Sequence, residues 1–261
     1  MSKQTDSQQE KLVHRYQASL VARHALREWY QSPLGKIVAE QESKLLVSVL
    51  PNMFGYHLLQ LSEWGNSSYL DASLIRHKVV LDVDSIHLDS KLNTLVNAHK
   101  LAIASDSVDV VLLPHTLDVD MAPHQVLREA DRVMVPEGRI VILSFNPWST
   151  WGLRHICNLW SKKNPWNLAF FSPARIKDWL VLLGFEIEKV QMVFFRPPIA
   201  HPLLQNNTKF LEIVGSKIWP AFGAVYMLVA RKQVSTLTPI RPRWYLRRRS
   251  SVSPGFLETR Q

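Results

Sequence analysis

A single cysteine, Cys157, in 261 residues leaves no internal disulfide and no structural zinc knuckle built on several thiolates, and suits a reducing compartment. The ten histidines show no paired metal-ligand spacing, and His155 with Cys157 alone cannot build a zinc site, so no metal is expected. A membrane-spanning helix needs about 20 apolar residues. The longest uninterrupted run, 221–230, is half of that. The polar opening lacks the apolar stretch of a secretion signal, and a soluble, cytoplasmic chain is the expectation. Neither a glycine-framed serine elbow nor a phosphate loop ending in Gly-Lys is present, which removes two large enzyme classes.

What is there supports a packed interior: 46% of the residues are hydrophobic and 20% charged. The length suits one domain of ordinary to large size with short extensions. Charge is uneven. The net charge is +9, and the stretch 240–261 alone carries six arginines against one glutamate. The segment 236–251, with two prolines and no apolar periodicity, is expected to be irregular. Arg241, Arg243, Arg247, Arg248 and Arg249 would contact phosphates of a nucleic acid or another anionic surface, with Trp244 and Tyr245 free to stack on bases. The alternative is a solvated tail that aids solubility.

Leu12, Val13, Tyr16, Leu20, Val21, Leu26 and Trp29 recur at helical spacing, which predicts a helix over 10–29. After Ser32-Pro33 a second helical pattern runs to the Leu50-Pro51 break. From residue 56 the pattern changes to short apolar runs, at 57–61, 78–83, 93–96, 109–113 and 139–143, of the kind buried on both faces of a parallel sheet. Between the last two, Val126, Leu127, Ala130, Val133 and Met134 share one helical face, and Val135-Pro-Glu-Gly138 reads as a turn. Strand, helix, turn and strand in that order specify a right-handed crossover and an α/β fold. The runs at 184–190 and 223–231 are expected to pair antiparallel at one edge. The expected organisation is a helical extension over 1–54, an α/β domain over 55–235 with a substrate-cover insertion at 145–180, and a basic tail over 236–261.

The segments 101–117, with Leu113-Pro-His-Thr-Leu117, and 123–142, with Leu127-Arg-Glu-Ala-Asp-Arg-Val-Met134 and Pro136-Glu-Gly138, carry a family resemblance. They resemble the strand and the leucine-arginine-glutamate helix of the type 11 family of class I S-adenosylmethionine-dependent methyltransferases. The likeness is specific over about forty residues and topological over 56–231. It implies a Rossmann-like, seven-stranded methyltransferase sheet with helices on both faces and a late antiparallel hairpin, S-adenosyl-L-methionine as cofactor, and transfer of its methyl group to an acceptor.

The resemblance also implies where the cofactor would lie. In the family the first strand ends in an acid and a glycine-rich loop. Here Gln60 stands for the acid, and Ser62, Trp64 and Asn66 stand for glycines beside Gly65. Either this loop takes another path, with Gly65 giving the close approach, or Trp64 narrows the pocket. Asp82 or Asp84 would accept the ribose hydroxyls, and either could instead cap the following turn. Asn97, followed by Ala98, stands near the adenine position and is equally suited to an ordinary turn. His115, at the tip of the fourth parallel strand, would contact cofactor or substrate, or merely satisfy its loop. The insertion carries Trp148, Trp151, Trp160 and Trp166 near Arg154, Lys162 and Lys163, suited either to a planar anionic acceptor or to its own core. The sequence thus supports a methyltransferase or, with its altered first loop, an inactive binding module that contacts RNA or another partner through its tail.

Overall fold

The structure is a computed structural model, and it describes residues 2–62, 64, 67–82, 94–95, 98–159, 168–196 and 219–233. Gly65, Asp84, Asn97 and the tail arginines lie outside the described residues. The helices are α1 (Ser2–Gln31), α2 (Pro33–Val47), α3 (Thr116–Val119), α4 (Pro123–Val133), α5 (Thr150–Leu159) and α6 (Pro173–Leu182). The strands are β1 (His57–Leu61), β2 (His77–Asp82), β3 (Thr94–Leu95), β4 (Val108–Pro114), β5 (Met134–Phe145), β6 (Phe185–Val193) and β7 (Val225–Lys232). They form one seven-stranded sheet in the order β3-β2-β1-β4-β5-β7-β6. The first five pair in parallel. β7 runs antiparallel between β5 and β6. The α/β fold expected from the sequence is the fold observed.

Successive residues of a strand face opposite sides of the sheet, and here both sides are covered. On one side Leu59, Leu61, Val111, Leu113, Ile140 and Ile142 pack under Val126, Leu127, Ala130 and Val133 of α4 and Ile176 and Leu180 of α6. On the other, Leu58, Val110, Leu112, Val141 and Leu143 meet Leu45 and Leu46 of α2, then Leu50 and Met53. Full burial of one such side chain stabilises by about 1.5–3 kcal/mol. Among the described residues the β1–β2 connection carries only a 3-10 turn, Ser67–Leu70. Cover on that side comes from the N-terminal extension, because Tyr69 and Leu70 of this turn pack with α2 in the same cluster.

Two local readings need correction. The turn expected at 135–138 is part of β5: the ladder jumps from Val108↔Met134 to Val110↔Arg139, and Glu137 takes a left-handed φ of 65°. The four residues 135–138 thus stand opposite Asp109 alone, so the turn lies within the span of β5 rather than ahead of the strand. α1 begins earlier than the apolar spacing indicates, because polar residues extend a helix without contributing to that pattern.

The leucine-arginine-glutamate helix owes its residue types to hydrogen bonds. Glu129 accepts from the Leu101 amide at 2.8 Å. Arg132 pairs with Glu129 and donates to the carbonyls of Leu101 and Ile103 at 3.1 and 2.9 Å. The pair fastens α4 to the segment after β3 and so fixes the chain around Ala98 and His99 at the sheet's rim.

Candidate functional site

The parallel register brings the carboxyl ends of β1, β2 and β4 together: Leu61 lies beside Leu81 and Gln60 beside Leu112. Strand order reverses between β1 and β4, and open α/β sheets bind ligands at such a point. Ser62 turns the chain off β1 with a left-handed φ of 76°, its amide donating to the Leu81 carbonyl at 2.8 Å. A glycine adopts this conformation without strain, whereas serine is held in it by its surroundings. The Gln60 side-chain amide donates to the Ser62 carbonyl at 3.0 Å, and Thr116 Oγ1 donates to the Leu61 carbonyl at 2.7 Å. Gln60 is 2% exposed, so it braces the turn from within.

Trp64 fills the gap between the β1 and β4 tips. Its indole N–H donates to the Pro114 carbonyl at 2.6 Å, its ring stacks with Tyr30 at 6.4 Å between centroids, and it is 2% exposed. The indole is thus buried at these tips, while Gly65, on which the other path of the loop would rest, lies outside the described residues.

α1 crosses this rim. Ser32 caps α2 by accepting from the Gly35 amide at 3.1 Å, with Pro33 in the first turn. A Cβ at Gly35 would stand 2.2 Å from the Trp29 carbonyl oxygen, so only glycine lets α2 approach the end of α1 this closely. Ala22, Leu26 and Tyr30 of α1 bury against Trp64, Val119, Phe145 and Trp151. Beside them runs a polar stripe at helical spacing. Ser19 donates to the Val119 carbonyl at 2.6 Å, Arg23 reaches Ser62 Oγ at 3.3 Å and Asp120 at 3.0 Å, and Arg27 reaches Asp82 at 2.6 Å. One helix face thus touches the tips of β1 and β2 and the segment after β4.

A second polar cluster lies beneath. His115 is fully buried with a left-handed φ of 50°, Nδ1 at 2.8 Å from Asp118 and Nε2 at 2.9 Å from Glu42 of α2. Glu42 also accepts from the hydroxyls of Tyr30, at 3.0 Å, and Tyr69. Asp118 accepts from Ser144 Oγ and from the Phe145 amide at 3.0 Å. Burial alone would lower the His115 pKa, but the Glu42 and Asp118 carboxylates outweigh it and raise it to about 9. Burial raises the Asp118 pKa against the pull of His115, and burial beside Glu42 raises those of Tyr30 and Tyr69. An imidazolium held between two carboxylates has no lone pair to take a proton from an acceptor. In this arrangement His115 ties α2 to the tips of β4 and β5.

At the edge of the crevice Asp120 accepts from His99 at 2.6 Å, from the Ala122 amide at 2.8 Å and from Arg23. Burial would raise its pKa, but these donors together hold it below the ordinary carboxylate range. In the insertion, Trp151 is buried and donates to the Arg196 carbonyl at 2.9 Å, whereas Trp148 stands 71% exposed. Asn146, buried, donates to the carbonyls of Ala221 and Gly223 at 2.8 and 3.0 Å and so clamps the end of β5 to the segment before β7.

The structure therefore gathers Ser62, Trp64, Asp82 and Ala98 around one rim, with Gln60 and His115 supporting it from inside. Sequence reasoning missed Arg23, Arg27, Glu42, Asp118, His99 and Asp120. The signal for the first two was the spacing 19, 23, 27, 30 along α1, hidden because arginine on a helix ordinarily reads as a solvated face. Among the described residues no group of three or more metal-ligating side chains occurs, and no helix is long and apolar enough to cross a membrane.

Comparison with known proteins bears on this site. Residues 77–142 match the family model described as "Methyltransferase domain". The chain is 32% identical over 210 residues to the Escherichia coli (strain K12) protein named "Uncharacterized protein YafS", covering 80% of this chain and 82% of that one. Its fold is similar to that of a Thermotoga maritima SAM-dependent methyltransferase, described as a possible histamine N-methyltransferase. That pair has a TM-score of 0.59 at 19% identity, over 79% of this chain and 93% of the other. An Archaeoglobus fulgidus SAM-dependent methyltransferase gives a TM-score of 0.53 at 18% identity, over 74% of this chain and 94% of the other.

Proposed function

We propose, from the premise that this chain belongs to the type 11 family of class I methyltransferases, that it binds S-adenosylmethionine at the rim of β1 and β2 and transfers its methyl group to an acceptor. One observation carries the reading. Asp82 ends β2 next to the left-handed turn at Ser62, where this fold offers a carboxylate to the hydroxyls of a nucleoside. The donor set fits a ribose, since an ionised carboxylate accepts from both hydroxyls of a diol. Asp82 would hold the ribose, the turn at Ser62 would border the methionine end, and the chain around Ala98, fixed by Glu129 and Arg132, would border the adenine. When bound, the sulfonium supplies an activated methyl group with a neutral thioether as leaving group. The residues present would orient it and exclude water: Trp64, Tyr30 and α1 form a dry wall above the tips.

A second reading is favoured by the same wall. Trp64 sits in the gap between β1 and β4, and Asp82 already faces a guanidinium, as in a domain of this fold that has given up its cofactor and serves as a binding module. Its partner would be RNA or another anion met by the arginine-rich tail. Calorimetric titration of the full chain with S-adenosylmethionine and S-adenosylhomocysteine separates the two. Saturable heat is expected from both ligands. No heat at roughly 0.5 mM ligand overturns the first reading in favour of the second. Affinity gained by Trp64→Gly would then locate the obstruction at the indole.

A further inference from the structure

We infer that Arg27 sets cofactor affinity in this chain, because its guanidinium and the ribose of the cofactor compete for the same carboxylate, Asp82. The inference rests on the reading above and goes beyond it, since nothing in a methyltransferase sheet requires a cation at the end of its second strand.

The geometry points to competition rather than assistance. The Arg27–Asp82 contact is 2.6 Å, and the two side chains are 12% and 7% exposed. A diol cannot reach a carboxylate so covered while the guanidinium stays where it is. Arg27 is also not a lone side chain that drifted inward. It continues the stripe of Ser19 and Arg23, and Arg23, 3% exposed at its side chain, holds Asp120 in the same manner. The end of α1 nearest α2 is pinned by Tyr30 on Glu42 and by the close approach at Gly35. Ala22 and Leu26 hold the stretch 19–27 by apolar packing, so what must yield on binding is the Arg27 contact that ties this stretch to the end of β2.

Charge decides how the exchange balances. Separating a buried ion pair is costly unless each member finds a new partner. A ribose supplies hydrogen bonds to Asp82 but no charge for Arg27. The displaced guanidinium must move toward water, and the ribose brings it no charge in place of Asp82. Binding thus works against the ion pair, and removing the cation favours binding.

The test uses the full chain and S-adenosylhomocysteine, with dissociation constants from calorimetry. Arg27→Gln, close in reach and without charge, is expected to bind about tenfold more tightly than the unaltered protein. Arg27→Lys, which keeps the charge, is expected to bind as the unaltered protein does. Amide exchange supplies a measurement that needs no variant: bound S-adenosylhomocysteine is expected to speed exchange across residues 19–27. Equal or weaker binding by Arg27→Gln, or exchange across 19–27 that stays the same or slows, overturns the competition and leaves the cofactor reading intact. No binding by the unaltered protein together with binding by Arg27→Gln supports it. No binding by either overturns the cofactor reading and the competition with it.

Discussion

The half of the sheet built from β4, α4 and β5 and the rim that α1 and α2 cover are held together by different physics. In the first, Val126, Leu127, Ala130 and Val133 meet Val111, Leu113, Ile140 and Ile142, and the interior is aliphatic. In the second, Arg23, Glu42, Asp82, His115, Asp118 and Asp120 are all less than a tenth exposed, and each is paired. Aliphatic burial tolerates exchange of one apolar residue for another of similar volume. A paired interior does not, because loss of one partner strands the other's charge. The rim should therefore be the more fragile region, and the more responsive to anything that binds there.

The largest expected effect follows from Glu42, which accepts from His115 Nε2 and from two tyrosine hydroxyls. Glu42→Ala leaves an imidazolium and two hydroxyls buried without their acceptor, and a loss of about 3–5 kcal/mol in urea unfolding is expected. Glu42→Gln, which keeps one acceptor oxygen, should lose less. A loss below about 1 kcal/mol for Glu42→Ala would put the cluster on the same footing as a surface pair and break the comparison.

Next comes the response to pH. His115 carries a pKa raised to about 9 from an ordinary 6.5, so the folded state holds a proton that the unfolded chain releases between those values. Its contribution is fully present below pH 6.5 and is lost as pH rises through about 9. Unfolding free energy is expected to fall by up to about 3 kcal/mol across that window. His115→Asn should flatten the slope. An unchanged slope in the variant would mean that the imidazole is neutral and the two carboxylates share their protons otherwise.

The two regions were also unequally legible in the sequence. Short continuous apolar runs gave the strands and a period-3.6 pattern gave α4, because an aliphatic interior writes itself into local sequence. The polar rim joins residues far apart in the chain: Arg23 to Asp120 spans 97 positions and Glu42 to His115 spans 73. No local window contains such a pair. Asp82 and Asp84 were both legible as acids near a strand end, without a choice between them, and Trp64 as a large ring beside the tip of β1. That Glu42 is a buried acceptor was not, since within 33–47 it looks like one more polar position of an amphipathic helix. The turn signal of Pro136 and Gly138 marked 135–138 locally but not that β5 begins before it, at Met134, because the pairing of Met134 with Val108 is set by a distant strand.

The smallest expected effect serves as the control that sharpens the contrast. Ser172 caps α6 by accepting from the Arg175 amide at 3.3 Å, with Pro173 in the first turn, and α6 covers the aliphatic face. Ser172→Ala removes one hydrogen bond at an exposed helix start, and a loss of about 1 kcal/mol is expected. Because the helix lies against β6 and the aliphatic cluster, the change should leave the pH slope and the affinity for S-adenosylhomocysteine as they were. A shift in either would show that the neighbouring Phe171, whose carbonyl accepts from Tyr226 at 2.9 Å, transmits strain across β7 to the tip of β5, where Ser144 meets Asp118. The aliphatic half would then be no independent platform, and the fragility assigned to the rim would belong to the whole sheet.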